Sequence, residues 1–306
     1  MKLLRILAAV ATTLALATGP ATAQPPPSGR DKPVTIVSDQ AGETFAESVN
    51  EVKATGVRNI TWTSNTGAKL RLQGLLPGST VRVFHSAPQA DGSGKNPAVQ
   101  LAGAKGISLS ITGPALSKSE LLKYAGSTPD PSTSEGYSTL ATPVDRNPDW
   151  WLVADYWFGN AHVYAWYGYW LVHNDGAGNW GILGQLWHSA NDLQKGTEIK
   201  QTWQWTVLPR GNMIVDQNPK WTQYFEPCRE QPISVSFFGF SVGGSIYNCR
   251  GQVDPWVWAN NTDSGVGVGW KGKSGYQTIG GAIDFAVYSP SGVAWSVVGW
   301  ISLLDD

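Results

Sequence analysis

The sequence predicts two unlike parts, a small α+β unit followed by an all-β domain built as an antiparallel β-sandwich or jelly roll. Three observations carry this. All but one of the 16 tryptophans fall after residue 149, Trp62 being the exception. Helical spacing of apolar residues occurs only before that point. After it, short aromatic and β-branched runs alternate with clusters of Gly, Asn, Asp and Pro, as strands and turns do.

Composition narrows the function classes. Charged residues make up 15% of the 306 residues and the net charge is −1. A disordered chain carries more charge and fewer large apolar residues. A nucleic-acid binder shows a basic excess or stripe, and none stands out along the chain.

Residues 1–23 read as a secretory signal peptide: Lys2 and Arg5, an apolar run from Ile6 to Ala17, then the Ala21-Thr22-Ala23 cleavage pattern. The apolar run is too short for a membrane span. The end, Leu303-Leu304-Asp305-Asp306, is no anchor signal. The expectation is a freely secreted, extracellular protein without a membrane anchor. Residues 24–32 open on Pro25–Pro27 and form an extended leader.

Residues 33–125 form the small α/β unit. Phe45, Val49 and Val52 recur at helical spacing, which predicts a helix over Glu43–Ala54. Short strands are expected at Asn59–Thr63, Lys69–Leu75, Thr80–His85 and Ile107–Thr112. Ser117-Lys118-Ser119-Glu120 is a capping box that opens a second short helix. Residues 126–149, with Pro129, Pro131, Pro143 and Pro148 among Ser, Thr and Gly, read as a linker, since such proline density blocks helix and central strand.

Residues 150–306 form the Trp-rich β-sandwich. Strands are expected at Ala161–His173, Trp180–His188, Thr197–Leu208, Ile233–Phe240, Val253–Ala259, Gly267–Lys271, Ala282–Tyr288 and Val293–Leu303. The first two form a hairpin around Asn174-Asp175-Gly176. The two cysteines, Cys228 and Cys249, are expected as one disulfide in an exported chain.

Catalytic signatures are sparse. Gly239-Phe240-Ser241-Val242-Gly243 fits G-x-S-x-G, but the nucleophile elbow needs a helix after it and a histidine later in the chain. The last histidine is His188, and Gly244–Cys249 is not helical in pattern, so the motif reads as a Gly-rich bend. His162, His173 and His188 show no metal-ligand spacing and read as unrelated surface or half-buried histidines; neither metal nor other cofactor is implied. A glycosidase needs two carboxyl groups about 5–9 Å apart. Asp254 and Asp284 are the β-domain carboxylates with informative neighbours, and the sequence does not pair them.

Aromatic residues carry the functional signal. Tyr164, Trp166 and Trp170 share one face of their strand, while Asp254, Trp256 and Trp258 share a face of another. Such rings join a flat apolar surface to a polar tip, which suits sugar recognition. Trp203 and Trp205, with Ile199 and Val207, read as inward-facing core. The alternating Glu198, Lys200, Thr202, Gln204 and Thr206 read as solvent surface.

The function expected is a secreted protein whose β-sandwich binds extracellular glycan, and hydrolyses it if two carboxylates come within reach. One alternative is an effector or hydrolase made as a precursor, with residues 24–149 as its pro-segment. The linker would be a site of proteolytic nicking. Another is an extracellular structural or inhibitor protein, and a membrane-active toxin ranks last.

Overall fold

The computed structural model describes residues 33–52, 57–86, 105–113, 148, 150–158, 161–174, 180–192, 198–209, 211–238, 240–259, 263–275, 278–289 and 297–305. Every regular element among them is a strand. In chain order these are β1 (Thr35–Ser38), β2 (Phe45–Val52), β3 (Arg58–Ser64), β4 (Lys69–Leu75), β5 (Thr80–Ser86) and β6 (Lys105–Thr112). Then come β7 (Trp150–Phe158), β8 (Ala161–Asn174), β9 (Trp180–Asp192), β10 (Glu198–Pro209), β11 (Met213–Asn218) and β12 (Gln223–Tyr224). The last six are β13 (Arg229–Phe237), β14 (Phe240–Asn248), β15 (Gln252–Ala259), β16 (Asp263–Lys271), β17 (Ile279–Ser289) and β18 (Val297–Asp305).

The α+β expectation for the first unit is therefore corrected. The segment expected to be helical is β2, paired antiparallel with β3. The physical reason is a β-bulge. The register shifts between Val49 and Glu51, so positions 45, 49 and 52 stand opposite Ser64, Ile60 and Arg58, all of one parity. A bulge adds one residue to a strand, and here it turns a strand's even spacing into the helix-like 0, 4, 7. The capping-box helix lies outside the described residues, as do the signal peptide, the leader and most of the linker.

The strands form two eight-stranded sheets. The first runs β1-β5-β6-β18-β10-β16-β15-β12 and the second β11-β17-β9-β8-β7-β4-β3-β2. They pack face to face through β10 and β16 against β9 and β17, giving a β-sandwich-like, all-β fold. Buried between them are Tyr167, Tyr169, Leu186, Ile283 and Phe285 from the second sheet and Val266, Val268 and Trp270 from the first. The long β8–β9 hairpin is present as expected, pairing Trp166 with Trp187 and Tyr167 with Leu186.

A separate hairpin, β13–β14, packs on β9 and β17. Its Ile233, Val235, Val242 and Ile246 are buried. It forms a partial third layer, on the side of β9 and β17 turned away from the first sheet. Cys228 and Cys249 form the expected disulfide and close the open end of this hairpin, next to the Arg229–Asn248 pair. Asn248 then fixes the hairpin to β17: its Nδ2 donates to the Gly280 carbonyl at 2.9 Å, and its Oδ1 accepts from the Gly280 N–H at 3.1 Å.

Both large sheets draw on strands from either side of residues 126–149. In the second sheet β4 pairs with β7, Leu70 opposite Tyr156. In the first, β18 lies between β6 and β10, with Trp300 opposite both Leu109 and Gln204. A chain cut by a protease at a site engineered between residues 126 and 149 is thus expected to stay in one piece without denaturant. Size-exclusion chromatography of the nicked protein checks this. Two separately eluting fragments would contradict the shared sheets.

Candidate functional site

The most distinctive surface is the outer face of the first sheet, across β10, β16 and β15. Side chains alternate along a strand, and the registers align this face in rows. Trp205 and Trp256 both stand opposite Gly267. Trp203 and Asp254 flank Gly269, while Val207 and Trp258 flank Gly265. The central strand therefore presents no side chain outward at three successive positions.

The indoles use that space. A Cβ on Gly265 would lie 1.9 Å from Cζ2 of Trp258, one on Gly267 2.1 Å from Cζ2 of Trp256, and one on Gly269 2.0 Å from Cε3 of Trp203. The rings thus lie down over the β16 backbone. Trp203 and Trp256 meet edge to face, their centroids 4.9 Å apart at 66°. Trp203, Trp256 and Trp258 are half-buried and so present part of each ring to solvent, while Trp205 is buried.

Polar groups border the rings. Thr222 Oγ1 donates to Oδ1 of Asp254 at 2.7 Å, and Gln252 Nε2 donates to its Oδ2 at 2.8 Å. Both carboxylate oxygens are thereby fixed in direction. Trp203 Nε1 donates to Gln201 Oε1 at 3.4 Å. Trp256 Nε1 is buried and has no acceptor among the described residues. One row beyond Trp203, Lys271 stands opposite both Gln201 and Gln252. There the face runs into a groove of about 480 Å³ bordered by Lys200, Arg250, Lys271, Lys273, Gln201 and Glu226.

The residues read from sequence divide between two places. Asp254, Trp256 and Trp258 do share one face and belong to this platform. Tyr164, Trp166 and Trp170 do not join it. They lie on the second sheet with 7%, 6% and 3% of their surface exposed, packed on one another and on Trp187. Rings so enclosed present no open face to a ligand.

Two sequence expectations are inverted. Trp203 and Val207 are half-exposed on the outer face, and Trp205 shares it, whereas Thr202, Gln204 and Thr206 point inward with no exposed surface. Ile199 is buried as expected. The interior accepts the polar residues because partners wait there: Thr202 Oγ1 and His188 Nε2 share a hydrogen bond of 2.7 Å, and Gln204 Nε2 donates to the Trp166 carbonyl at 2.8 Å. The histidines expected at or near the surface are corrected too. His188 has no exposed surface, and His162 is buried with its Nε2 2.6 Å from Asp155 Oδ1 and its ring stacked on Trp157 at 3.7 Å. The side chain of His173 is outside the described ones.

Sequence reasoning missed Trp203 and the basic groove. The available signal was Gly265-Val266-Gly267-Val268-Gly269, a strand bare on one face beside strands bearing tryptophan. Ser241 of the G-x-S-x-G motif sits exposed at the start of β14 opposite Ser236, with strand rather than helix after it.

Asp254 and Asp284 lie in different sheets. Asp284 has no exposed surface and accepts a hydrogen bond from Gln185 Nε2 at 2.6 Å. Burial raises its carboxyl from 3.8 to about 7. Burial acts in the opposite sense on the His188 imidazole, lowering it from 6.5 to about 3. No known protein-family model matches the chain, and no curated protein matches it.

These two buried groups make opposite contributions to stability. The folded chain keeps a proton on Asp284 that the unfolded chain releases, so that contribution is full below 3.8 and lost as pH rises through about 7. The unfolded chain protonates His188 below 6.5 while the folded chain does not, so stability is lost as pH falls from 6.5 through about 3. The two offset each other between about 4 and 6.5. Asp284→Asn is expected to leave the cost of protonating His188 uncompensated, with urea midpoints falling on acidification over that range while the wild-type midpoint stays nearly level. Parallel curves for the two proteins would remove Asp284 from the account.

Proposed function

We propose that this is a secreted protein that binds extracellular glycan on the outer face of its first sheet. The observation that carries the reading is the set of half-exposed indoles, Trp203, Trp256 and Trp258, lying over a strip of glycines beside an oriented carboxylate. A pyranose ring has flat faces of C–H groups edged by hydroxyls. Broad aromatic surfaces accept the faces. Carboxylates and side-chain amides accept and donate to the hydroxyls, and Asp254, Gln252 and Gln201 stand in position for that. The Ala21-Thr22-Ala23 cleavage pattern and the Cys228–Cys249 disulfide favour an exported, oxidising setting.

Binding is supported better than hydrolysis. The two-carboxylate mechanism needs a pair about 5–9 Å apart, and Asp254 and Asp284 stand in separate sheets. The pro-segment alternative is disfavoured by the shared sheets, because losing the earlier strands would strip β18 and β7 of hydrogen-bonded neighbours.

Titrating soluble plant, fungal and bacterial polysaccharides while following tryptophan fluorescence tests the proposal. A saturable change is expected with at least one of them. Trp256→Ala and Trp258→Ala are each expected to weaken binding about tenfold or more, equivalent to about 1.4 kcal/mol. Gly267→Val, which would collide with the Trp256 ring, is expected to do the same. Fluorescence that stays flat with every polysaccharide would leave an extracellular structural or inhibitor role as the better reading.

A further inference from the structure

We infer that the glycan taken by this platform is acidic, its carboxylate or sulfate groups lying in the basic groove at the platform's end. This rests on the glycan reading above and specifies the ligand's charge. After residue 149 the chain holds 8 basic and 12 acidic residues, so a basic site runs against the local balance. Even so, four of those eight, Lys200, Arg250, Lys271 and Lys273, line one groove with a single carboxylate, Glu226.

The groove and the indoles form one surface. Lys271 follows Gly269 at the next outward position of β16, and its row, with Gln201 and Gln252, adjoins the row of Trp203 and Asp254. Two residues of strand span about 7 Å. A polysaccharide with a ring on Trp203 therefore brings the substituents of an adjoining residue over Lys271. Asp254 stands in the Trp203 row, opposite Gly269, with its two oxygens accepting from Thr222 and Gln252. Its negative charge there favours hydroxyls at the aromatic end and leaves the anionic groups to the lysine row, which gives a bound chain a direction.

Part of the groove is held in place by the backbone. The Arg250 carbonyl accepts from Trp270 Nε1 at 2.8 Å, anchoring the residue. Its guanidinium lies against Gly275, where a Cβ would stand 2.8 Å from Nη1. The cations themselves are exposed, so their attraction is sensitive to salt.

The test compares ligands that differ in charge: polygalacturonate with its fully methyl-esterified form, and dextran sulfate with dextran, with poly-glutamate as a non-sugar polyanion. At low salt the intact protein is expected to bind at least one acidic polysaccharide tenfold or more tighter than its neutral form. The preference should shrink with added salt. The doubly substituted Lys271→Ala, Lys273→Ala protein, its fold checked by circular dichroism, should lose the preference and keep neutral-form affinity. Trp256→Ala should weaken both forms. The carboxylate and sulfate pairs separate the two sources of negative charge.

Equal affinity for charged and neutral forms, or a preference that survives the lysine substitutions, overturns the acidic inference and leaves the platform reading intact. Poly-glutamate bound as tightly as the best acidic polysaccharide also overturns it, because charge alone then suffices. Acidic binding that ignores Trp256→Ala overturns the platform reading itself.

Discussion

A β-strand has only two faces, and the assignment of the faces of β10 governs much else in this molecule. Thr202, Gln204 and Thr206 are committed to the space between the sheets. The outward positions then fall to Trp203 and Trp205. The assignment is held by hydrogen bonds to distant parts of the chain, from Thr202 to His188 and from Gln204 to the Trp166 carbonyl. A one-residue slip would exchange the two faces and leave those buried partners unsatisfied, at about 1–3 kcal/mol for each group. The register of β10 fixes that of β16, and β16 that of β15. The arrangement of indoles outside thus descends from a polar seam inside.

The same construction occurs twice with opposite results. On the second sheet the Trp166 ring lies over Gly168, where a Cβ would come within 2.4 Å of it. On the first, three rings lie over Gly265, Gly267 and Gly269 in the same way. Glycine beneath an indole is therefore a packing device here and carries no function by itself. The difference is cover. Trp166 is enclosed, whereas Trp203, Trp256 and Trp258 keep part of their surface in solvent.

This explains which parts were legible in the sequence. The strand at Lys69–Leu75 could be read from sequence, because from Lys69 to Gln73 exposed or half-exposed side chains alternate with buried ones. Strand β2 could not, because a bulge disguised its period. Asp254, Trp256 and Trp258 could be grouped by parity alone, since their strand is regular. Tyr164, Trp166 and Trp170 were grouped correctly on a face, but whether that face is open depends on packing beyond the strand. The orientation of β10 was unreadable for a related reason. Polar residues are placed outside by default, and the partners that draw Thr202 and Gln204 inside lie on other strands. The basic groove gathers Lys200, Arg250 and the pair Lys271 and Lys273 from separate stretches, so no local charge run announced it.

The placement of β18 bears on how the chain comes to fold. Strands β1, β5 and β6 reach the rest of the first sheet through β18, which lies between β6 and β10. During synthesis from the N-terminus, β6 must wait for a partner about 190 residues downstream. Until then its edge is open, the state in which strands recruit wrong neighbours. Such distant pairing makes folding slow, because loop closure must precede the contacts that reward it. Completion of the first sheet therefore waits on β18 by topology: the nascent chain can settle the β8–β9 and β13–β14 hairpins early, but the sandwich closes only after β18 has emerged.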